Sequence, residues 1–332
     1  MNRLAAYLLL LSCSTASAQT AWLNIPDLKV FHTADSIMNL SDGEVFGTSS
    51  GLGKVWFATW GEYAEAADEW FFRSFTSAQG PHYVESEPTL NDHPVVRFYG
   101  GTVTNDSSAI YDSDNAGLEE RTPWSMHGFQ RFTFFAHVKV FNNGKLVNPI
   151  FHTNAFTNAG GLQSVKFNYL TNENPTPRFG FDIGSDDPPN RLVIAVTDAT
   201  SAPDDSTWHS FMAVFDNGGG AGVTSTILRL YVDDPENTVG TGNRVTSQEP
   251  CDGCLSDYDP YLGTTKSGTI YDGAFDIYAI GWWADTLSLA ERTLVFSGVD
   301  SLINDLSSGP GESGASGEYS RRRYLRRVNS RP

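Results

Sequence analysis

Short apolar segments bounded by turn-forming residues run along most of the chain. Pro94–Tyr99, Phe132–Val140, Val165–Leu170, Leu192–Thr197, Trp208–Phe215, Ser225–Val232 and Phe275–Trp283 are rich in β-branched and aromatic side chains. Such runs fit strands with one or both faces buried. Gly, Asn, Asp and Pro clusters separate them, as in Ser185-Asp186-Asp187-Pro188-Pro189-Asn190 and Asn217-Gly218-Gly219-Gly220. Many strands between turn-rich loops, with little helical period, predict an all-β fold of two stacked antiparallel sheets. One short C-terminal helix is predicted as well. Ser288-Leu289-Ala290-Glu291 is a capping box, and Leu294, Val295, Val299, Leu302, Ile303 and Leu306 follow at helical spacing. The chain has no internal repeat.

The two ends differ from this body. Arg3 precedes an apolar run from Leu4 to Leu11 and then Ala16-Ser17-Ala18, so residues 1–18 read as a signal peptide cleaved before Gln19. Leu10-Leu11-Ser12-Cys13 also resembles a lipobox, which would put a lipid anchor on Cys13, although few residues precede that cysteine. Either route places the mature chain outside the cell, secreted or at the cell surface. No later segment has the roughly 20 consecutive apolar residues of a membrane helix. Residues 19–306 then form one domain, and residues 307–332 a Gly/Ser/Glu-rich linker with the basic tail Arg321-Arg322-Arg323-Tyr324-Leu325-Arg326-Arg327.

Cys251 and Cys254 remain in the mature chain, and an oxidising compartment favours a local disulfide between them. A single such pair cannot supply four zinc ligands. A redox role would want a helix N-terminus there, whereas Asp252-Gly253 and Ser256-Asp257-Tyr258-Asp259-Pro260 read as loop. The formal charge is −17, even though residues 311–332 hold six Arg against two Glu, so the body is strongly acidic. That argues against nucleic acid and anionic membranes as partners and suits calcium, neutral glycans or plain solubility.

Four fragments, in order, resemble a known group. Pro94-Val95-Val96-Arg97-Phe98-Tyr99-Gly100 and Phe132-Thr133-Phe134-Phe135-Ala136 look like its early strands. Trp208-His209-Ser210-Phe211-Met212-Ala213-Val214-Phe215-Asp216 with Leu228–Asp233 looks like its central hairpin. Tyr271–Ile277 leading to Leu287–Glu291 looks like its closing segment. From about Pro94 to Leu306 the chain thus resembles the LamG-like, concanavalin A-like jelly-roll superfamily. The resemblance implies a jelly-roll sandwich, and that fold hosts lectins, adhesive modules, glycanases and lyases alike. Asp234-Pro235 replaces the hairpin glycine of the group, which implies a longer turn here. The N-terminal third follows the group only loosely.

Chemistry is sparse in the linear pattern. Glycoside hydrolysis needs two suitably spaced carboxylates, and no strand carries an E-x-D-x-x-E arrangement. Asp68 and Glu69 would face opposite ways, and Glu85 and Glu87 read as solvated edge residues. His137, His152, His209, Tyr169, Arg97 and Arg178 are raw material for a lyase without its motifs, and read as structural or surface groups. A Ser-His-Asp triad needs only to meet in space, and no G-x-S-x-G turn supports one. Calcium is the better-motivated ligand, with Asp112, Asp114 and Asn115 first in line and Asp272 or Asp276 next. Trp56, Trp60, Tyr63, Trp70 and Trp124 are candidates for the stacking floor of a sugar site.

Three functions are consistent with these residues. The leading one is a non-catalytic carbohydrate-binding or adhesive module. The alternatives are a structural subunit of an extracellular filament, envelope or matrix, self-assembling through the basic tail, and a polysaccharide-cleaving enzyme.

Overall fold

The computed structural model describes residues 21–37, 40–46, 56–62, 71–74, 81–99, 110–112, 124, 126, 129–141, 147–153, 165–170, 177–184, 191–198, 206–217, 226–243, 260–263 and 273–304. Sixteen strands are formed among them: β1 (Leu28–Thr33), β2 (Trp56–Phe57), β3 (Phe71–Ser74), β4 (His82–Glu87), β5 (His93–Tyr99), β6 (Ile110–Asp112), β7 (Arg131–Val140) and β8 (Val147–Thr153). There follow β9 (Val165–Leu170), β10 (Arg178–Gly184), β11 (Arg191–Val196), β12 (Trp208–Asp216), β13 (Thr226–Val232), β14 (Gly240–Asn243), β15 (Pro260–Leu262) and β16 (Ala274–Trp283). Helix α1 (Leu289–Asn304) comes last.

The strands build two antiparallel eight-stranded sheets. The first has the order β14-β13-β12-β7-β16-β5-β4, with β1 added to β16; the second runs β11-β10-β9-β8-β15-β6-β3-β2. They stack through aromatic side chains. Phe134 of the first sheet lies 5.2 Å from Phe151, 5.7 Å from Phe167 and 5.4 Å from Phe181 of the second, measured between ring centroids. Phe211 stacks on Phe167 at 4.1 Å. Rings at this spacing bury large areas and prefer offset or edge geometry. Side chains alternate across a strand, so if Phe134 points inward then Phe135, His137 and Lys139 point outward.

The outward face of the first sheet is covered over one half by α1. Phe296 of the helix meets Phe135 at 5.8 Å, and Phe31 of β1 meets Phe135 at 6.0 Å and Trp283 at 6.0 Å. The capping box forms as the spacing predicts. The Ser288 amide donates to Glu291 Oε2 at 2.8 Å, and the Glu291 amide donates to Ser288 Oγ at 3.4 Å. Val295, Phe296, Val299 and Ile303 face the sheet, whereas Leu294 of the predicted apolar stripe is exposed.

The N-terminal third is part of this same body. β1 pairs with the second half of β16, Phe31 opposite Gly281, and Trp22 packs edge-on to Phe31 at 4.7 Å. Among the described residues no helix is long and apolar enough to cross a membrane. Residues 1–18 with Cys13, the Cys251–Cys254 pair and the tail from residue 307 lie outside the described residues.

Candidate functional site

One line of side chains crosses the first sheet where α1 does not cover it. Register pairs Trp208 with Lys139, Lys139 with Asp276, Asp276 with Arg97, and Arg97 with His82, so five strands contribute to a single row. At about 4.8 Å per strand such a row spans roughly 19 Å. Lys139 is on the outward parity of β7, and Phe98 of β5 stacks inward on Phe275 at 4.4 Å, which leaves Arg97 and Tyr99 outward.

The centre of the row is buried and tied by charge. Arg97 Nε donates to Asp276 Oδ1 at 2.7 Å, and its Nη2 donates to Asp276 Oδ2 and to Glu87 Oε2, each at 2.7 Å. Lys139 Nζ donates to Glu87 Oε1 at 3.1 Å and to Thr89 Oγ1 at 3.0 Å. Trp208 Nε1 also donates to Thr89 Oγ1, at 3.0 Å. Burial pushes the Glu87 carboxyl up, but the hydrogen bonds from Thr89 and Lys139 outweigh it and hold the group at about 2. Burial raises Asp276 above the usual carboxylate range against the pull of Arg97. The hydrogen bonds of Asp276 in turn hold the Arg97 guanidinium well above its ordinary range. Two cations thus meet two carboxylates, and geometry of this quality offsets the cost of removing them from water.

Glu87 therefore differs from the solvated edge residue that its sequence position predicts. A register shift between Val84 and Glu87 at the end of β4 turns the side chain back over the row, where it is only 6% exposed. Asp276 likewise accepts from Arg97 with both oxygens.

The ends of the row are open. Tyr99 is 58% exposed, more than any other large hydrophobic side chain among the described residues. His82 meets its ring edge-on at 5.0 Å and donates from Nδ1 to the Gly43 carbonyl at 2.9 Å. The Arg97 side chain beside them is 27% exposed. At the other end the half-buried Trp208 lies parallel to the His137 ring at 5.2 Å. The arrangement offers an exposed aromatic face next to a guanidinium already fixed by three hydrogen bonds.

A second row lies on the outward face of the other sheet, where Tyr261, His152, Lys166 and Asp182 are in register. All four are buried, which gives a soluble ligand less purchase than the open end at Tyr99.

The aromatic residues singled out from sequence go elsewhere. Trp56 is fully buried, donates Nε1 to the Thr33 carbonyl at 2.9 Å and meets His32 at 5.4 Å. Trp124 is 1% exposed and packs on Phe151 at 5.0 Å and His32 at 5.9 Å. Both belong to the core, where burial leaves neither ring open to a sugar. Trp60 is half-buried against Trp22 and Phe31. Tyr63 and Trp70 lie outside the described residues. So do Asp114 and Asn115, while Asp112 sits in β6 opposite Phe72 of β3. Among the described residues no three His, Cys, Asp or Glu side chains are placed to share a metal ion.

Tyr99 was within reach of sequence reasoning. It shares the parity of Arg97 in a strand whose alternate residues, Val96 and Phe98, are core, and it precedes Gly100-Gly101. An aromatic residue on the polar parity of an otherwise buried strand is the signal.

No family model matches the chain, and no curated protein matches it significantly. Solved structures do match. The carbohydrate-binding module CBM40 of the Ruminococcus gnavus IT-sialidase, bound to α2,3-sialyllactose, is 13% identical, with a TM-score of 0.42 over 61% of this chain and 95% of that one. The Trypanosoma rangeli sialidase is 13% identical, with a TM-score of 0.48 over 85% of this chain and 34% of that one. The chain therefore spans about a third of the length of the T. rangeli enzyme. The chain is a two-sheet antiparallel β-sandwich closed by one helix.

Proposed function

We propose that this chain is an extracellular carbohydrate-binding β-sandwich of the LamG-like kind, which holds a glycan at the Tyr99 end of the polar row without cleaving its glycosidic bonds. The observation that carries the reading is the exposed Tyr99 ring, braced by His82 and flanked by the pinned Arg97. A pyranose stacks its apolar face on such a ring, and a fixed guanidinium donates to its hydroxyl or carboxylate oxygens with little ordering left to do. The same pairing speaks against glycoside cleavage at this row. Glu87 and Asp276 are both engaged by Arg97, and Glu87 also by Lys139, so neither is placed to give up or take a proton.

Glycan-array binding by the full-length protein tests the proposal. Tyr99→Ala removes an exposed ring and leaves the core intact, so binding should fall at least tenfold with an unchanged melting temperature. Binding to no glycan, or equal binding by the variant, would rule the site out.

A further inference from the structure

A second constellation, unrelated to the polar row, lies on the other side of β12. We propose that Asp233, His209 and Thr207 form an acyl-transfer relay in which Thr207 attacks esters. Thr207 immediately precedes β12, and His209 is two residues further on, so both side chains fall on one side of the strand. Asp233 follows β13 in the adjoining hairpin. Its Oδ2 lies 2.7 Å from His209 Nδ1, and its Oδ1 accepts from the Ser210 amide at 2.7 Å. His209 Nε2 lies 2.7 Å from Thr207 Oγ1.

The partners assign the protons. A carboxylate only accepts, so a neutral His209 must carry its hydrogen on Nδ1, and Nε2 then accepts from the Thr207 hydroxyl. That is the polarity of a nucleophile–base–orienting-acid relay. Access is present as well. Thr207 is exposed, and the side chains of His209 and Asp233 are 14% and 51% exposed. Two of the neighbouring positions hold non-glycine residues at positive φ, Ser206 at 70° and Asp233 itself at 56°. Backbone of that kind is held in place only where the surroundings require it, and it clusters at reactive sites.

The contrast with Ser210 sharpens the assignment. Ser210 Oγ bonds His137 Nδ1 at 2.9 Å, but both groups are buried and His137 Nε2 has no hydrogen-bond partner among the described residues. A hydroxyl–imidazole pair without a carboxylate or an approach path is structural; the exposed pair beside Asp233 has both.

In the reaction Thr207 Oγ bonds to the ester carbonyl carbon as its proton passes to His209 Nε2. Collapse of the adduct breaks the carbon–oxygen bond to the alcohol, which leaves with that proton. Water then attacks the acyl-threonine, again losing a proton to Nε2, and the carboxylic acid departs as Thr207 regains its hydrogen. The substrate class is a small, solvent-accessible ester such as an O-acyl substituent. Asp233 acts as the positioning residue.

A fluorophosphonate probe on the full-length protein, with adducts mapped by peptide mass spectrometry, tests the relay directly. The expected result is one adduct, on Thr207. His209→Ala should label at least about 100-fold more slowly, Thr207→Ser should keep the label on residue 207, and Thr207→Val should lose it. Melting temperatures establish that each variant is folded. Absence of an adduct at Thr207, or labelling of folded His209→Ala at the wild-type rate, overturns the relay. Neither result bears on glycan binding at Tyr99, which is read by a different assay.

Discussion

Asp276 is a carboxylate with no solvent exposure in its side chain, and Arg97 satisfies both of its oxygens. Replacing such a pair with apolar groups can cost nothing, but removing one partner strands the other charge in the interior. Arg97→Ala should therefore lower stability by about 3–5 kcal/mol in denaturant unfolding. Adding Asp276→Asn to Arg97→Ala should restore a large part of that loss, because the remaining buried group is neutral. If the double variant is no more stable than the single one, the pair does not carry the energy assigned to it.

Helix α1 illustrates how an element is placed by a missing side chain. A Cβ on Gly298 would lie 2.1 Å from Trp22 Cδ1, inside the indole rather than at the end of a flexible chain. Alanine gains about 1 kcal/mol of helix propensity over glycine, whereas overpacking a rigid contact costs typically 1–3 kcal/mol. Trp22 is 1% exposed and cannot swing into water without opening the core. Gly298→Ala should thus lower the melting temperature despite its better propensity, and a rise would show that Trp22 yields freely.

The elements themselves were legible to different degrees. Runs such as Phe132–Val140 and Phe275–Trp283 declare themselves by composition and became the central strands β7 and β16. β8 was not evident, because Asn148, Pro149 and His152 interrupt it. The register shift between Pro149 and Phe151 is where a strand accommodates a residue without an amide hydrogen. β10 was hidden by Gly180 and Gly184, which supply no side chain to the pattern. The candidate site was less legible than the fold. The pairing of Arg97 with Asp276 joins residues 179 positions apart, and Glu87 joins them only through the irregular end of β4. The aromatic residues of the N-terminal third read as a binding surface because nothing in their local sequence reveals that β1 pairs with the last strand.

At the scale of the whole molecule, the buried imidazole of His137 makes stability depend on pH. Burial lowers its pKa from an ordinary 6.5 to about 4, so the folded state holds it neutral where the unfolded chain would already bind a proton. Above 6.5 neither state is protonated and the group makes no difference. As pH falls from 6.5 towards 4 the unfolded state gains protons first, and stability declines by up to about 3 kcal/mol. The melting temperature should therefore drop between pH 6.5 and 5, ahead of the carboxylates. His137→Gln, which cannot be protonated, should flatten that stretch, and an unchanged slope in the variant would assign the effect to another group.

β16 is joined to β7 along its length, to β5 by its first half and to β1 by its second. All ten of its residues are buried. A ribosome delivers this strand only after β1, β5 and β7 have emerged with the edges that β16 will occupy. Until then those edges are open templates for other chains. The nascent protein thus waits on β16, and truncation before residue 274 would yield sticky, incomplete sheets rather than a smaller folded unit.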